Sequence, residues 1–216
     1  MACIQTSEEH FAVQNFGLGG GCSDGYDARM KVKFLTSAKD LKGYPPSLRP
    51  EVAVVGRSNA GKSSFINALV NQKIAKVSGT PGKTRLLNFF ELEEKIYMVD
   101  MPGYGFATGD RQEVLGWLEM VETYFRERKT LKGVLLIMDI RRDWEEEEQM
   151  LKGWLDHHKI PWALLLNKAD KLSRSQTLNR RQEILKSTGD VPVLIVSASK
   201  KTGTSEVEAL LFKTWS

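Results

Sequence analysis

The segment Gly56-Arg57-Ser58-Asn59-Ala60-Gly61-Lys62-Ser63 constrains this chain more than any other. It matches Gly-x4-Gly-Lys-Ser at every defined position. The apolar run Glu51–Val55 precedes it, and Lys62–Asn71 follows with Phe65, Ile66, Leu69 and Val70 on one helical face. A strand, a glycine-rich turn and a helix in that order let successive backbone N–H groups point inward at a chain of phosphates. Lys62 can then reach the β- and γ-phosphates, and the Ser63 hydroxyl is placed to ligate Mg²⁺.

Beyond the loop, strands and helices alternate. Leu86–Leu92 and Lys95–Val99 read as strands joined by the polar turn Glu93-Glu94, with further strands at Gly133–Asp139, Trp162–Leu166 and Val191–Val196. Helical spacing marks Glu113–Arg128, Trp144–His158, the region around Ser175–Ser187, and Ser205–Thr214. Such alternation predicts an α/β fold, a doubly wound and mostly parallel sheet of six strands with helices on both faces. One strand must be antiparallel, because a two-residue turn cannot make a parallel crossover. Ligands in such sheets sit at the carboxyl ends of the strands, which is where the remaining motifs fall.

Asp100-Met101-Pro102-Gly103 follows one of these strands; its Asp can hold Mg²⁺ through water, and the Gly103 N–H can contact a γ-phosphate. Asn167-Lys168-Ala169-Asp170 follows another. The Asp170 carboxylate can accept from both N1–H and the exocyclic amine of guanine, whereas adenine would leave a buried carboxylate unpaired. The Lys168 stem can lie over the base, and Asn167 can tie the base loop to the glycine-rich loop. Ser197-Ala198-Ser199 follows the last strand and is placed for a backbone N–H to meet the guanine O6, with Val196, Ser197 and Ala198 counted among the nucleotide-binding residues. Between Ser63 and Asp100 lies Gly79-Thr80-Pro81-Gly82-Lys83-Thr84-Arg85, read as a mobile loop leading into Leu86. A threonine hydroxyl there, Thr84 in preference to Thr80, completes a Mg²⁺ shell only when a γ-phosphate is present, which makes the loop a GTP/GDP switch.

These segments resemble the EngB (YihA/YsxC) family of bacterial ribosome-assembly GTPases, within the translation-factor-related class. The resemblance is carried by residues 56–64, by Thr-Pro-Gly-Lys-Thr-Arg-Leu-Leu-Asn-Phe-Phe at 80–90 and by Val-Asp-Met-Pro-Gly-Tyr-Gly-Phe-Ala at 99–107, and it spans roughly Met30 to Trp215. It implies a Ras-like fold, Mg²⁺-dependent GTP binding, a role in large (50S) ribosomal subunit maturation with ribosomal RNA as a contact, and a link to cell division and septation. On this reading Lys62, Thr84, Gly103 and Asn59 carry the hydrolysis, while Ser63 and Thr84 ligate the metal. One departure from Ras chemistry is visible: Tyr104 stands after Gly103, where Ras has the glutamine that orients the attacking water, so intrinsic turnover should be slow. Asn59 either helps bind K⁺, as an asparagine at this place does in related GTPases, or merely braces the loop.

Composition narrows the alternatives. With 41% apolar and 27% charged residues the chain reads as globular, its apolar runs are too short for a bilayer, and a cytoplasmic, monomeric protein is expected. Residues 1–29 contain Arg29 against Glu8, Glu9, Asp24 and Asp27, together with a glycine run. They read as a flexible extension, with Met30 as a candidate initiator and 30–50 as a lead-in made stiff by Pro45, Pro46 and Pro50. Removing 1–29 leaves 30 basic against 23 acidic residues, compatible with an RNA partner. His157 and His158 are adjacent and read as helix surface, the tryptophans as packing, and Glu145–Glu148 as a solvated first turn favoured by the helix dipole. Two other readings remain: a GTPase serving tRNA modification or transport, and a nucleotide-stabilised RNA-binding protein with negligible turnover.

Overall fold

A computed structural model describes residues 30–76, 86–104 and 111–216, with the backbone alone at 111–115, 117 and 118. The expectations for 1–29 and for Gly79, Thr80, Gly82, Lys83, Thr84 and Arg85 lie outside the described residues.

Seven strands build one sheet: β1 (Val32–Ala38), β2 (Glu51–Gly56), β3 (Leu87–Leu92), β4 (Ile96–Asp100), β5 (Leu131–Asp139), β6 (Trp162–Asn167) and β7 (Val193–Ile195). Their spatial order is β1-β3-β4-β2-β5-β6-β7. Only β3 runs against the rest, antiparallel to both β1 and β4, while β4-β2-β5-β6-β7 is parallel throughout. The expected count of six strands is therefore corrected to seven. The extra one, β1, comes from the lead-in, where the alternation of Lys31-Val32-Lys33-Phe34 is broken at Leu35 and a register shift falls between Phe34 and Thr36. Its partner β3 lies some fifty residues away, so no local pattern announces the pairing. The β3–β4 turn is as expected: Glu93 and Glu94 both take φ near +50°, at 52° and 55°, the geometry whose twist suits a two-residue hairpin. Lys31 fastens β1 to this turn, its backbone N–H donating to Glu93 and its ammonium pairing with Glu94.

Alternate residues of the central strands feed two cores. Val52 and Val54 of β2, with Leu135, Ile137 and Leu165, meet α1 (Lys62–Leu69) and α5 (Thr204–Ala209), which runs on through a π-helical turn, Leu210–Thr214. Ala53 and Val55, with Val134, Leu136 and Leu164, meet α2 (Arg111–Glu127), α3 (Glu146–His157) and α4 (Arg174–Thr188). Burial on both faces explains the unbroken apolar runs. Each fully buried Val or Leu contributes about 1.5–3 kcal/mol.

At the amino end of β2, the Glu51 side chain is fully buried and hydrogen-bonded. It accepts from the Tyr124 hydroxyl at 2.7 Å, from Arg128 Nε at 3.0 Å and from Thr130 Oγ1 at 2.9 Å. Arg128 also donates to the Pro45 carbonyl at 3.0 Å, clamping the proline lead-in against the sheet. Anchoring this end leaves the opposite, carboxyl end of the strands free to present loops. Among the described residues, no helix is long and apolar enough to cross a membrane. Trp144 and Trp154 are half-buried and Trp162 is buried, consistent with packing, and His157 and His158 lie exposed at the end of α3.

Candidate functional site

Five parallel strands end at one crest. Gly56 closes β2, Asp100 closes β4, Asp139 closes β5 and Asn167 closes β6, with Val196 just beyond β7. Register places Val54 opposite Asp100, Gly56 opposite Ile137 and Asp139 opposite Asn167. Two glycines of the loop after β2 are demanded by space. A Cβ on Gly56 would fall 2.4 Å from the Ile137 carbonyl oxygen. Gly61 sits at φ +91° in the left-handed region, where a Cβ would fall 2.5 Å from Asn167 Nδ2. Ala60 is buried, Asn59 is exposed with φ +65°, and Ser63 is half-buried in the first turn of α1.

Lys62, the first residue of α1, is buried and ion-paired to Asp100. Met101 and Pro102 are buried behind it, and Met101 N–H donates to the Val54 carbonyl at 3.1 Å. Gly103 then runs against the loop; a Cβ there would meet Gly56 O, Ser58 N and Ser58 Oγ, each at 3.2 Å. Tyr104 completes the contact, its carbonyl accepting from Ser58 N–H at 2.8 Å. The Lys62 ammonium thus meets the Asp100 carboxylate, Gly103 packs against the glycine-rich loop, and Ser63 follows Lys62 in the first turn of α1. A hydroxyl and a carboxylate are hard oxygen donors, suited to a cation such as Mg²⁺ that keeps several waters and shares phosphate oxygens. These residues fit that ion. Thr84, the other expected ligand, lies outside the described residues, and Leu86 begins the described chain again as an exposed residue.

On the base side, Asn167 is buried and used twice. Its Nδ2 donates to the Ala60 carbonyl at 3.0 Å and its Oδ1 accepts from Ala198 N–H at 3.1 Å. The side chain therefore joins the glycine-rich loop to the loop after β7. The Ala198 amide, within the segment expected to meet O6, is already engaged by Asn167. Lys168 adopts φ +64°, and its ammonium donates to the Asn59 carbonyl at 2.7 Å. Ala169 N–H bonds to the Val196 carbonyl at 3.2 Å, holding the base loop to the sheet. The Ser197 hydroxyl lies 2.5 Å from Asp170 Oδ1. That bond, assisted by Ser199 and Lys171 and opposed by partial burial, holds the Asp170 carboxyl below the ordinary aspartate range. An ionised, oriented acceptor is what a guanine edge requires.

Two features were not legible in the motifs. First, Glu145–Glu148 is not merely a solvated turn. Glu148 is buried, accepting from the Tyr104 hydroxyl at 2.9 Å and from Glu145 N–H at 3.2 Å. Arg57 pairs with Glu145 and lies 3.7 Å from Glu147. The acidic cluster at the start of α3 thus meets the glycine-rich loop and the Asp100–Gly103 loop together. Burial, and then the Glu148 charge, pushes the Tyr104 phenol far above its ordinary pKa. The Glu145/Glu148 capping spacing was the available signal, but only tertiary contact turns it inward. Second, Asp139 is buried beside Lys168, its Oδ2 lying 3.0 Å from the ammonium. Its signal was an aspartate ending an apolar strand, the same position that Asp100 and Asn167 occupy.

A family model described as 50S ribosome-binding GTPase matches residues 51–168. A Bdellovibrio bacteriovorus protein named probable GTP-binding protein EngB is 52% identical over 184 residues, covering 85% of this chain and 92% of its own. The chain belongs to the EngB family of GTPases. An EngB protein of Aquifex aeolicus is 40% identical over 179 residues, covering 82% of this chain and 97% of its own. Among solved structures, one of a probable GTP-binding protein engB superposes with a TM-score of 0.62 at 22% identity, covering 76% of this chain and 97% of that one. An Aquifex aeolicus Era variant bound to GDP and aluminium fluoride gives 0.64 at 25%, covering 77% of this chain and 56% of that one. EngB membership agrees with the Ras-like architecture and with the order of the motifs along the crest.

Proposed function

We propose that this EngB protein binds GTP with Mg²⁺, hydrolyses it slowly, and acts in the cytoplasm as a nucleotide-dependent switch in large ribosomal subunit assembly, and through that in cell division and septation. The observation that carries the nucleotide reading is Asn167, whose one side chain reaches both Ala60 O and Ala198 N. It makes a single rigid frame of the phosphate side and the base side. The family model's own description, a 50S ribosome-binding GTPase, favours the ribosome over tRNA modification or transport.

The chemistry follows from this chain's groups. Lys62 is held by Asp100 and can exchange that partner for the β- and γ-phosphate oxygens, releasing the carboxylate to order water around the metal. Ser63 and Thr84 are the proposed protein ligands. When bound, Mg²⁺ neutralises charge on the β- and γ-phosphates. Gly103 N–H contacts the γ-phosphate, and Asp170 selects guanine. Slow turnover is expected because Tyr104 stands where Ras has its water-orienting glutamine and its hydroxyl proton is committed to Glu148. Asn59, exposed at the loop's edge, is the proposed K⁺ contact; equal GTP turnover in KCl and NaCl would count against it.

The test of the switch is cosedimentation with purified large ribosomal subunits in the presence of GDP or a non-hydrolysable GTP analogue. Tighter association with the analogue is expected, and association that ignores the nucleotide would refute the reading.

A further inference from the structure

Asp139 lies outside every motif that marks the nucleotide site, yet it is wired into the base side of it. The carboxylate is 5% exposed at the last position of β5, in register with Asn167 on β6. It accepts from Arg141 N–H at 3.1 Å, from Arg141 Nε at 3.0 Å and from Arg141 Nη2 at 2.7 Å, and it faces the Lys168 ammonium at 3.0 Å. Burial raises the cost of this charge, but the Arg141 and Lys168 donors outweigh it and hold the carboxyl well below the ordinary aspartate range. The negative charge is therefore permanent at physiological pH.

The geometry of Lys168 shows what this charge does. A lysine side chain has many rotamers, and left free it would sweep through solvent. Here its ammonium is fixed between Asp139 Oδ2 at 3.0 Å and the Asn59 carbonyl at 2.7 Å. The chain is drawn across the glycine-rich loop, its Cε within 3.5 Å of where a Cβ on Gly61 would lie. A lysine tethered at its tip presents its methylenes as a wall. Asp139 is itself held from behind. Ile140 N–H donates to the Asn167 carbonyl at 2.9 Å, while Arg180 of α4 donates through Nε to the Ile140 carbonyl at 3.1 Å and pairs with Asp143 at 2.7 Å. The loop after β5 is thus rigid enough to aim the carboxylate.

We propose that Asp139 is a positioning residue for the guanine base, holding the Lys168 side chain in place as one wall of the base slot. This rests on the site being a guanine-nucleotide pocket. The wall acts before the phosphates differ, so its effect falls equally on GDP and GTP. It touches no reacting atom, so the hydrolysis step is untouched.

The test uses the full chain with Asp139→Asn, Lys168→Met and the double substitution, measuring affinity for fluorescent GDP and GTP and single-turnover hydrolysis at saturating GTP. Lys168→Met keeps the apolar stem and removes the ammonium; being at a half-exposed position, it serves if Asp139→Asn fails to fold. Each single substitution should weaken GDP and GTP by the same factor, about tenfold, through faster release. The double should be no weaker than Lys168→Met alone, and Asp139→Asn should cleave bound GTP at the wild-type rate. Wild-type affinity in Lys168→Met, or losses that multiply in the double, would overturn the proposal while leaving guanine binding intact. Failure of the unaltered protein to bind guanine nucleotides would instead sink the reading of the site.

Discussion

Tyr104→Phe separates two accounts of the residue that follows Gly103. If the phenol worked on the attacking water, its loss would slow hydrolysis on the scale of general acid–base catalysis, about 10²–10⁴-fold. The structure points elsewhere: the hydroxyl donates to Glu148 Oε1 at 2.9 Å, the side chains being buried at 7% and 3% exposure. Phenylalanine keeps the ring, so no cavity larger than one oxygen opens. The remaining cost is that of a buried carboxylate oxygen losing its donor, while Oε2 keeps the Glu145 N–H. Leaving such a group unsatisfied costs about 1–3 kcal/mol. For a chain of this size each kcal/mol lowers the melting temperature by about 2–4 °C, so a fall of about 5 °C is expected. Chemical denaturation should show a lower midpoint at unchanged slope. Replacing both partners with apolar groups is nearly neutral in general, so Tyr104→Phe/Glu148→Leu should recover part of the loss rather than add to it. Single-turnover hydrolysis should stay within about threefold of wild type, since no catalytic hydrogen bond is removed. A variant of wild-type stability that loses a hundredfold in rate would refute the reasoning.

Gly61→Ala puts a Cβ at φ +91° and 2.5 Å from Asn167 Nδ2, costing about 1–2 kcal/mol in backbone strain alone and displacing the Asn167 bridge. Nucleotide affinity by fluorescence titration should fall at least tenfold, and wild-type binding would contradict the role given to Asn167. Asp139 makes a pH prediction. Its folded-state pKa lies below the ordinary 3.8, so its stabilisation is complete above that value and is lost as pH falls below it. The stability gap between wild type and Asp139→Asn should be flat from neutral pH down to about the ordinary aspartate pKa and narrow at lower pH; a gap that closes near neutrality would be inconsistent with the ion pair.

The phosphate and base motifs were readable because each is a short stretch whose neighbours in sequence are its neighbours in space. Glycine at 56 and 61 is demanded by the backbone and the space around it, and lysine at 62 with a hydroxyl at 63 is the local pattern that the proposed phosphate and metal roles rest on. Strand β1 escaped because an edge strand with a bulge needs no clean alternation, and its partner β3 is distant in the chain. The roles of Glu148 and Asp139 escaped for a related reason. An acidic residue opening a helix is ordinarily stabilised by the helix dipole and water, and nothing local says that Tyr104 will be brought to it across the sheet. Composition and spacing also suggested a partner for Lys168 only in the base, whereas the fold supplies Asp139 and the Asn59 carbonyl.

The sequence alone therefore determined the frame of the candidate site: a glycine-rich loop between strand and helix, an aspartate in the loop after β6, and a parallel sheet whose strand ends bring them together. Tertiary structure decided how the parts restrain one another. It turned Tyr104 toward Glu148, gave Arg57 its acidic partners, and set Asp139 beside Lys168. The physical reason is range. Backbone conformation and hydrophobic period act over a few residues, while a buried charge can choose its partner only after the chain has closed loops of dozens of residues around it.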